Sequence, residues 1–187
     1  MLQGRNFVAR FLRLMTLAAA LCSGGAALAD DYADVNQLLR NGQHADALAR
    51  ADQYLAAKPR DPQMRFIKGV VLTEAGRTAE AIATFTRLTE DYPELPEPYN
   101  NLAVLHASQN QYDKARAALE MAVRTNPGYA TAHENLGDVY ARLAAQSYAR
   151  AAQLAPGNPA LGAKQAQLRQ LLEPAAKSAR PRPAASR

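Results

Sequence analysis

The chain contains a single cysteine and no tryptophan among its 187 residues. The cysteine, Cys22, lies inside an apolar N-terminal segment that we expect to be removed on export, which would leave the exported chain without a thiol. This absence excludes a disulfide framework, a thiolate nucleophile and a cysteine-ligated metal site. It also allows the chain to reside in an oxidising compartment without mispairing.

Motifs that carry chemistry are absent as well. The sequence has no glycine-rich phosphate loop, no nucleophile elbow and no His-Glu-x-x-His pair. Neither a cysteine nor a suitably spaced carboxylate completes a metal site around its three histidines, His44, His106 and His133. The sequence therefore predicts a protein that is not an enzyme and that uses neither a cofactor nor a metal.

The body of the chain has no net positive charge, although the formal net charge of the whole chain is +5. Residues 1–29 contain three basic residues and residues 174–187 contain four, and neither stretch contains an acid. Residues 30–173 are therefore slightly acidic, and a basic surface for nucleic acid is not expected. Residues 174–187 contain three prolines and no large apolar residue, a composition that predicts a disordered basic tail. Contact of this tail with an anionic envelope surface is the alternative.

The N-terminal segment has the layout of a signal peptide. Three arginines precede a short apolar core, and Ala27-Leu28-Ala29 supplies small residues at the two positions that a signal peptidase reads. The apolar stretch 14–29 is shorter than the roughly 20 residues that span a bilayer, so we expect cleavage after Ala29. A lipoprotein acylated at Cys22 is disfavoured because Leu21 stands where a small residue is required.

Three sets of residues recur at a spacing of 34. The sets are Pro59, Pro93 and Pro127; Ala47, Ala81 and Ala115; and Gly42, Gly76 and Asn110. This period indicates a helix–turn–helix repeat. Glycine and asparagine tolerate the left-handed conformation that ends a helix, alanine lets two helices approach closely, and proline stops the second helix of each pair.

These features resemble the tetratricopeptide repeat (TPR) family over about residues 31–172. The signature residues of the two best copies are Gly69, Leu72, Gly76, Ala81, Ile82, Phe85 and Pro93, then Tyr99, Leu102, Ala103, Tyr112, Ala115, Leu119, Ala122 and Pro127. The resemblance implies an all-α fold, a right-handed α-solenoid of helix pairs. The repeats would occupy about 31–61, 62–95, 96–129 and 130–157, with a capping helix at 159–173. Lys68 departs from the family pattern because its position is usually apolar, so its stem is expected to run along the surface.

The fourth repeat is five residues short, because Pro156 follows Pro127 by 29 residues instead of 34. No Gly, Pro, Asn or Asp lies between Val139 and Ala155, and apolar residues continue at helical spacing. The sequence therefore predicts one fused helix from about Thr131 to Leu154. A very tight turn at residues 144–146 is the alternative.

A fused helix needs a new cover for its second half, which contains Tyr148, Ala151 and Leu154. The segment after Pro159 offers an apolar face formed by Leu161, Leu168, Leu171 and Leu172. Since repeat arrays need a terminal cap with a polar outer face, an intramolecular cap is the favoured cover. The same segment of a second protomer is the alternative, which would make the protein a homodimer.

The TPR resemblance implies a concave groove formed by the first helices of successive repeats. The residues placed in it are Phe66, Val70, Asn100, Asn101, Val104, Glu134, Asn135 and Asp138. Apolar members would contact a bound segment, the asparagines would pair with the backbone of an extended peptide, and the acids would favour a cationic partner. The alternative, which stays open, is that Asn101 and Asn135 brace neighbouring helices. The basic residues of the carboxylate clamp are missing, so recognition of a C-terminal carboxylate is not expected.

Another resemblance concerns the stretch from Leu88 to Pro127, which is similar to exported TPR proteins of Gram-negative bacteria. Together with the signal peptide, it implies a periplasmic location. The sequence is thus interpreted as a non-enzymatic periplasmic adaptor that binds a peptide or helix of an envelope protein. The alternative is a structural protein that dimerises through its fused helix. Neither nucleic acid nor a stable membrane span is expected.

Overall fold

A computed structural model describes residues 24–172 of the chain, with side chains from Asp31 onward. Within these residues the chain is all-helical. The helices are α1 (Gly24–Arg40), α2 (His44–Ala57), α3 (Pro62–Glu74), α4 (Thr78–Asp91), α5 (Pro96–Ser108), α6 (Tyr112–Thr125), α7 (Ala130–Leu154) and α8 (Pro159–Leu172). The predicted basic tail lies outside the described residues, as does the predicted signal peptide up to residue 23. None of the described helices is long and apolar enough to cross a membrane.

The turns inside the first three helix pairs repeat one backbone geometry. Gly42, Gly76 and Asn110 have φ angles of 73°, 71° and 59°, which confirms the left-handed conformation expected at these positions. In each turn the next residue donates its N–H to a carbonyl five positions earlier, at 2.9 Å. The residues that recur every 34 positions therefore end the first helix of each pair.

The chain divides into two compact units, which we call the N-terminal unit, ending at Leu88, and the C-terminal unit, beginning at Thr89. The core of the N-terminal unit is built around Met64, Val71, Leu72 and Phe85, all at most 2% exposed. The core of the C-terminal unit comprises Ala103, Ala115, Leu119, Ala122, Ala132 and Val139. The recurring alanines at 47, 81 and 115 are fully buried, in agreement with their predicted role at close helix contacts.

Gly69 of α3 lies close against the ring of Phe85 of α4. A Cβ atom at Gly69 would lie 2.6 Å from Cζ of Phe85, which is inside van der Waals contact. One repeat later, Ala103 and Leu119 occupy the same two positions, and both are 1% exposed. The two repeats thus pack the same two positions differently. The first has a glycine and a phenylalanine there, and the second has an alanine and a leucine.

A hydrogen-bonded cluster joins α1, α2 and the start of α3. Oδ1 of Asp61 accepts the N–H of Met64 at 2.8 Å and so caps α3. Its Oδ2 accepts hydrogen bonds from the hydroxyls of Tyr32 at 2.6 Å and Tyr54 at 3.1 Å. Partial burial acts to raise the pKa of Asp61, but these hydrogen bonds outweigh it and hold the pKa below its ordinary 3.8. Burial, with hydrogen bonding to Asp61, raises the pKa of Tyr32.

Helix α7 is a single helix of 25 residues, and residues 144–146 lie within it. In a regular repeat a second helix would fold back over Gly137, which is 68 residues after Gly69. A Cβ atom at Gly137 would instead find no atom of another described helix within 4 Å. The second half of α7 therefore leaves the first half open on this side.

Helix α8 packs against α7 and covers part of its second half. Leu161 is 9% exposed, and Nζ of Lys164 lies 5.0 Å from the ring centroid of Tyr148. Two expectations for this cover are wrong, because Leu154 is 71% exposed and Leu171 is 67% exposed. Leu154 is the last residue of α7, and α8 leaves most of its side chain exposed.

Candidate protein-interaction site

The predicted groove residues of the N-terminal unit lie on α3. Phe66 and Val70 are both half-buried. The ring of Phe66 stands edge-on to that of Phe85, with centroids 5.6 Å apart. Phe66 therefore contributes to packing within its own unit and exposes only part of its ring.

In the C-terminal unit, α5, α6 and α7 enclose an open pocket of about 160 Å³. Its lining includes three of the predicted groove residues, Val104, Asn135 and Asp138. We call this feature the α5–α7 pocket. It is lined by Ala103, Val104, Ala107, Leu119, Asn135, Asp138, Val139 and Arg142.

The α5–α7 pocket has an apolar floor and a charged rim. Leu119 and Val139 of the floor are at most 4% exposed, whereas Val104 at the rim is 46% exposed. Asp138 is exposed and makes no hydrogen bond or ion pair with the described residues. Such a site can bury one apolar side chain and offers a free carboxylate to a cation beside it.

Arg142 is the charged pocket residue that the sequence did not indicate. It lies one turn after Asp138 on α7, and its guanidinium stands 5.8 Å from the ring centroid of Tyr112. The spacing of four residues from a predicted groove residue was the available signal, since residues four apart share a helix face. The rim therefore presents opposite charges on successive turns of α7.

The two asparagine positions differ in what they contact. Nδ2 of Asn135 donates to Oδ1 of Asn100 at 2.8 Å, and Asn100 is only 7% exposed. This bond braces α7 against α5, which agrees with the alternative interpretation of these asparagines. Asn101 instead donates to the carbonyl of Glu97 within its own helix, at 2.9 Å. Glu134 is exposed on α7.

Asn135→Ala is expected to destabilise the chain by about 1–2 kcal/mol, because it leaves the buried amide of Asn100 without its partner. Asn101→Ala is the matched control and should change the free energy of unfolding by less than about 0.5 kcal/mol, since its bond lies on the surface. Urea titrations followed by far-UV circular dichroism would measure both. Equal effects of the two substitutions would contradict the bracing role of Asn135.

His106 and His133 differ in their burial and in their hydrogen-bond partners. Nδ1 of His106 lies 3.1 Å from Oε1 of Gln111 in a half-buried setting. His133 is exposed, with Nε2 3.0 Å from the carbonyl of Pro127, so it is not a core residue of its helix pair. Within the described residues, no group of three or more metal-ligating side chains comes together.

Two protein-family models described as tetratricopeptide repeat match this chain, one at residues 32–96 and the other at residues 72–143. The chain belongs to the tetratricopeptide repeat family. Proteins of this family are generally non-enzymatic scaffolds for protein interactions. The second match stops at residue 143, in the middle of α7, where the chain departs from the regular repeat.

Among curated proteins, the chain is 32% identical over 130 residues to the TPR repeat-containing thioredoxin TTL4 of Arabidopsis thaliana, covering 70% of this chain and 18% of that protein. The chain spans 17% and 18% of the length of two curated relatives that it matches.

Solved TPR structures are similar in fold to this chain. One is the type III secretion chaperone SycD of Yersinia enterocolitica in complex with a peptide of the translocator YopD. It has a TM-score of 0.57 at 13% identity, and the match covers 63% of this chain and 95% of that one. Another is the first TPR of Spaghetti (RPAP3) bound to the HSP90 peptide SRMEEVD, with a TM-score of 0.57 at 14% identity, covering 61% and 90%.

Proposed function

We propose that this TPR chain is a non-enzymatic periplasmic adaptor that binds a peptide or helix of an envelope protein. The observation that carries the proposal is the α5–α7 pocket, which joins an apolar floor to a free carboxylate at Asp138. Peptide complexes of two TPR proteins of similar fold support it. The arginine-rich, apolar N-terminal segment supports export to the periplasm.

The pocket favours a partner segment with an apolar side chain next to a cation. The apolar side chain would rest on Leu119 and Val139 and against Val104, where its burial supplies most of the binding energy. A lysine or arginine of the partner would pair with Asp138, while Arg142 would repel it from the neighbouring turn. The charges on α7 therefore select the orientation of the bound segment.

Affinity capture from a periplasmic extract tests the proposal, with the exported chain as bait in three forms. Val104→Asp places a carboxylate at the rim of the pocket and should reduce capture of the partner at least about tenfold, because burying an unpaired charge is unfavourable. Leu154→Asp is the matched control, since it adds the same charge at an exposed apolar residue outside the pocket. A partner captured equally by wild type and Val104→Asp would contradict binding in the pocket.

A second candidate function is self-association through α7. The exposed side chains of Leu154 and Leu171 favour it, because apolar surface of this kind is often buried between protomers. In analytical ultracentrifugation, Leu154→Asp would then convert a dimer to a monomer while Val104→Asp would not. A monomer at all concentrations would exclude this candidate.

A further inference from the structure

The N-terminal unit contains a second open cleft, of about 360 Å³, between α2, α3 and α4. We call it the basic cleft. Leu55, Leu72 and Ala83 line its apolar part, and Leu72 is 2% exposed. Neither Phe66 nor Val70 lines it, so it is separate from the groove positions expected on α3.

Three cations line the basic cleft, namely Arg65, Lys68 and Arg87. Lys68 stands where the TPR pattern usually has an apolar residue, and its side chain reaches the surface with 30% exposure. Its Nζ pairs with Oδ1 of Asp52 at 2.5 Å. Arg87 is exposed and makes no hydrogen bond or ion pair with the described residues.

Two carboxylates, Glu80 in the lining of the basic cleft and Asp52 beside it, are already paired. Both oxygens of Glu80 accept hydrogen bonds from the guanidinium of Arg77, each at 2.6 Å. The hydrogen bond from Arg77 lowers the pKa of Glu80, so this carboxylate stays charged and bound. Asp52 is engaged by Lys68. The cleft therefore keeps one cation without a partner among the described residues, Arg87, beside its apolar floor.

We propose that the basic cleft is a second interaction surface that binds an acidic peptide segment carrying a large apolar side chain. The apolar side chain would rest on Leu55, Leu72 and Ala83, and a flanking carboxylate would pair with Arg87 while a second would share Lys68 with Asp52. A phosphate group alone would use the cations but not the apolar floor, so the floor favours a peptide. Binding here does not depend on the α5–α7 pocket and would give one chain two sites of opposite charge preference.

The test is an NMR titration of the full exported chain, labelled with 15N, against synthetic peptides at low ionic strength. The acidic probe is acetyl-EDELLEDE-amide, and its control, acetyl-EDESSEDE-amide, lacks the leucines but keeps every charge. The acidic probe should shift the backbone amides of Lys68, Leu72 and Arg87. The serine peptide should bind at least about threefold more weakly, because it buries no leucine on the apolar floor.

Two pairs of variants separate the cleft from general charge attraction. Arg87→Glu should weaken binding of the acidic probe about tenfold, and Arg124→Glu, the same change on α6, should weaken it less than about twofold. Lys68→Met restores an apolar residue of the usual TPR type and should weaken binding severalfold, whereas Lys114→Met should not. Arg87 makes no hydrogen bond or ion pair with the described residues, so the charge reversal Arg87→Glu should leave the fold unchanged. The 15N spectrum of the variant would verify this.

Three outcomes would overturn the proposal. The first is the absence of shifts at the cleft with the acidic probe. The second is equal weakening by Arg87→Glu and Arg124→Glu, which would mean attraction by net charge alone. The third is evidence that the cleft is an anion site without peptide selectivity. Either equal binding of the leucine and serine peptides or the same shifts with inorganic phosphate would show this.

Discussion

Gly69→Ala is expected to destabilise the chain by about 2 kcal/mol. The new methyl group would overlap the ring of Phe85, which is fully buried and has no space to move into. Overpacking of this kind costs about 3 kcal/mol at the upper end of its usual range. Replacing a helical glycine by alanine returns about 1 kcal/mol through helix propensity, so the overlap with Phe85 outweighs that gain.

Gly137→Ala is the matched control for Gly69→Ala and should have the opposite sign. The two glycines are two repeats apart, but a methyl group at Gly137 meets no other atom. Only the gain in helix propensity then remains, and the chain should be stabilised by up to about 1 kcal/mol. Urea unfolding followed by circular dichroism measures both variants, since the chain has no tryptophan for fluorescence.

A rescue experiment tests the cause of the Gly69 effect. The double variant Gly69→Ala, Phe85→Leu copies the Ala103 and Leu119 pair of the next repeat. It should recover most of the stability lost by Gly69→Ala, because the smaller side chain makes room for the methyl group. A double variant less stable than Gly69→Ala would show that the overlap with Phe85 is not the cause.

Asp61→Ala is expected to destabilise the chain by about 3 kcal/mol. The substitution removes the cap of α3, worth about 1 kcal/mol. It also removes the shared acceptor of the hydroxyls of Tyr32 and Tyr54, and hydrogen bonds to a charged group contribute about 1.5 kcal/mol or more. Asp138→Ala is the control, because that carboxylate has no partner within the described residues and should matter by less than about 0.5 kcal/mol.

The contribution of Asp61 should depend on pH in a defined direction. Its pKa is lower in the folded chain than the ordinary 3.8, so its stabilisation is complete above that value. It is lost as the pH falls below about 4 through the folded pKa. The stability difference between wild type and Asp61→Asn should therefore shrink on acidification. A difference that stays constant from neutral pH to well below the ordinary pKa would contradict the role of the charged carboxylate.

Local signals in the sequence predicted the helices well. Gly42, Gly76 and Asn110 end the first helix of each pair because few residue types adopt a positive φ at low energy. Pro62, Pro96 and Pro159 stand at the first position of helices, where a missing N–H is no loss. Each of these boundaries depends on a residue's own backbone preferences, which are readable without knowledge of the fold.

Contacts between distant residues could not be predicted in the same way. Tyr32 and Asp61 are 29 positions apart, and Asn100 and Asn135 are 35 apart. No property of a tyrosine or an asparagine indicates which partner its polar group will meet, because that depends on how side chains from separate helices converge. For the same reason the sequence left open whether Asn135 contacts a ligand or braces a neighbouring helix, and it overlooked Arg142 beside Tyr112.

Leu154 is exposed, although the sequence pattern predicted that it would be covered. The apolar stripe on α7 indicated a face that needs a cover, and the leucines of α8 indicated the cover. An apolar stripe shows which face of a helix is buried. It does not show over what length of the helix a neighbouring helix packs on that face. Helix α8 buries Leu161 and leaves Leu154 and Leu171 in solvent.

The continuous helix α7 also limits how this protein can evolve. Repeat arrays lengthen by tandem duplication, which requires that each copy end in a helix pair on which the next copy can pack. Within the described residues, α7 has no turn after Gly137 and no second helix over its first half, so it does not end in such a helix pair. A further repeat inserted after α7 would find no regular helix pair to dock on.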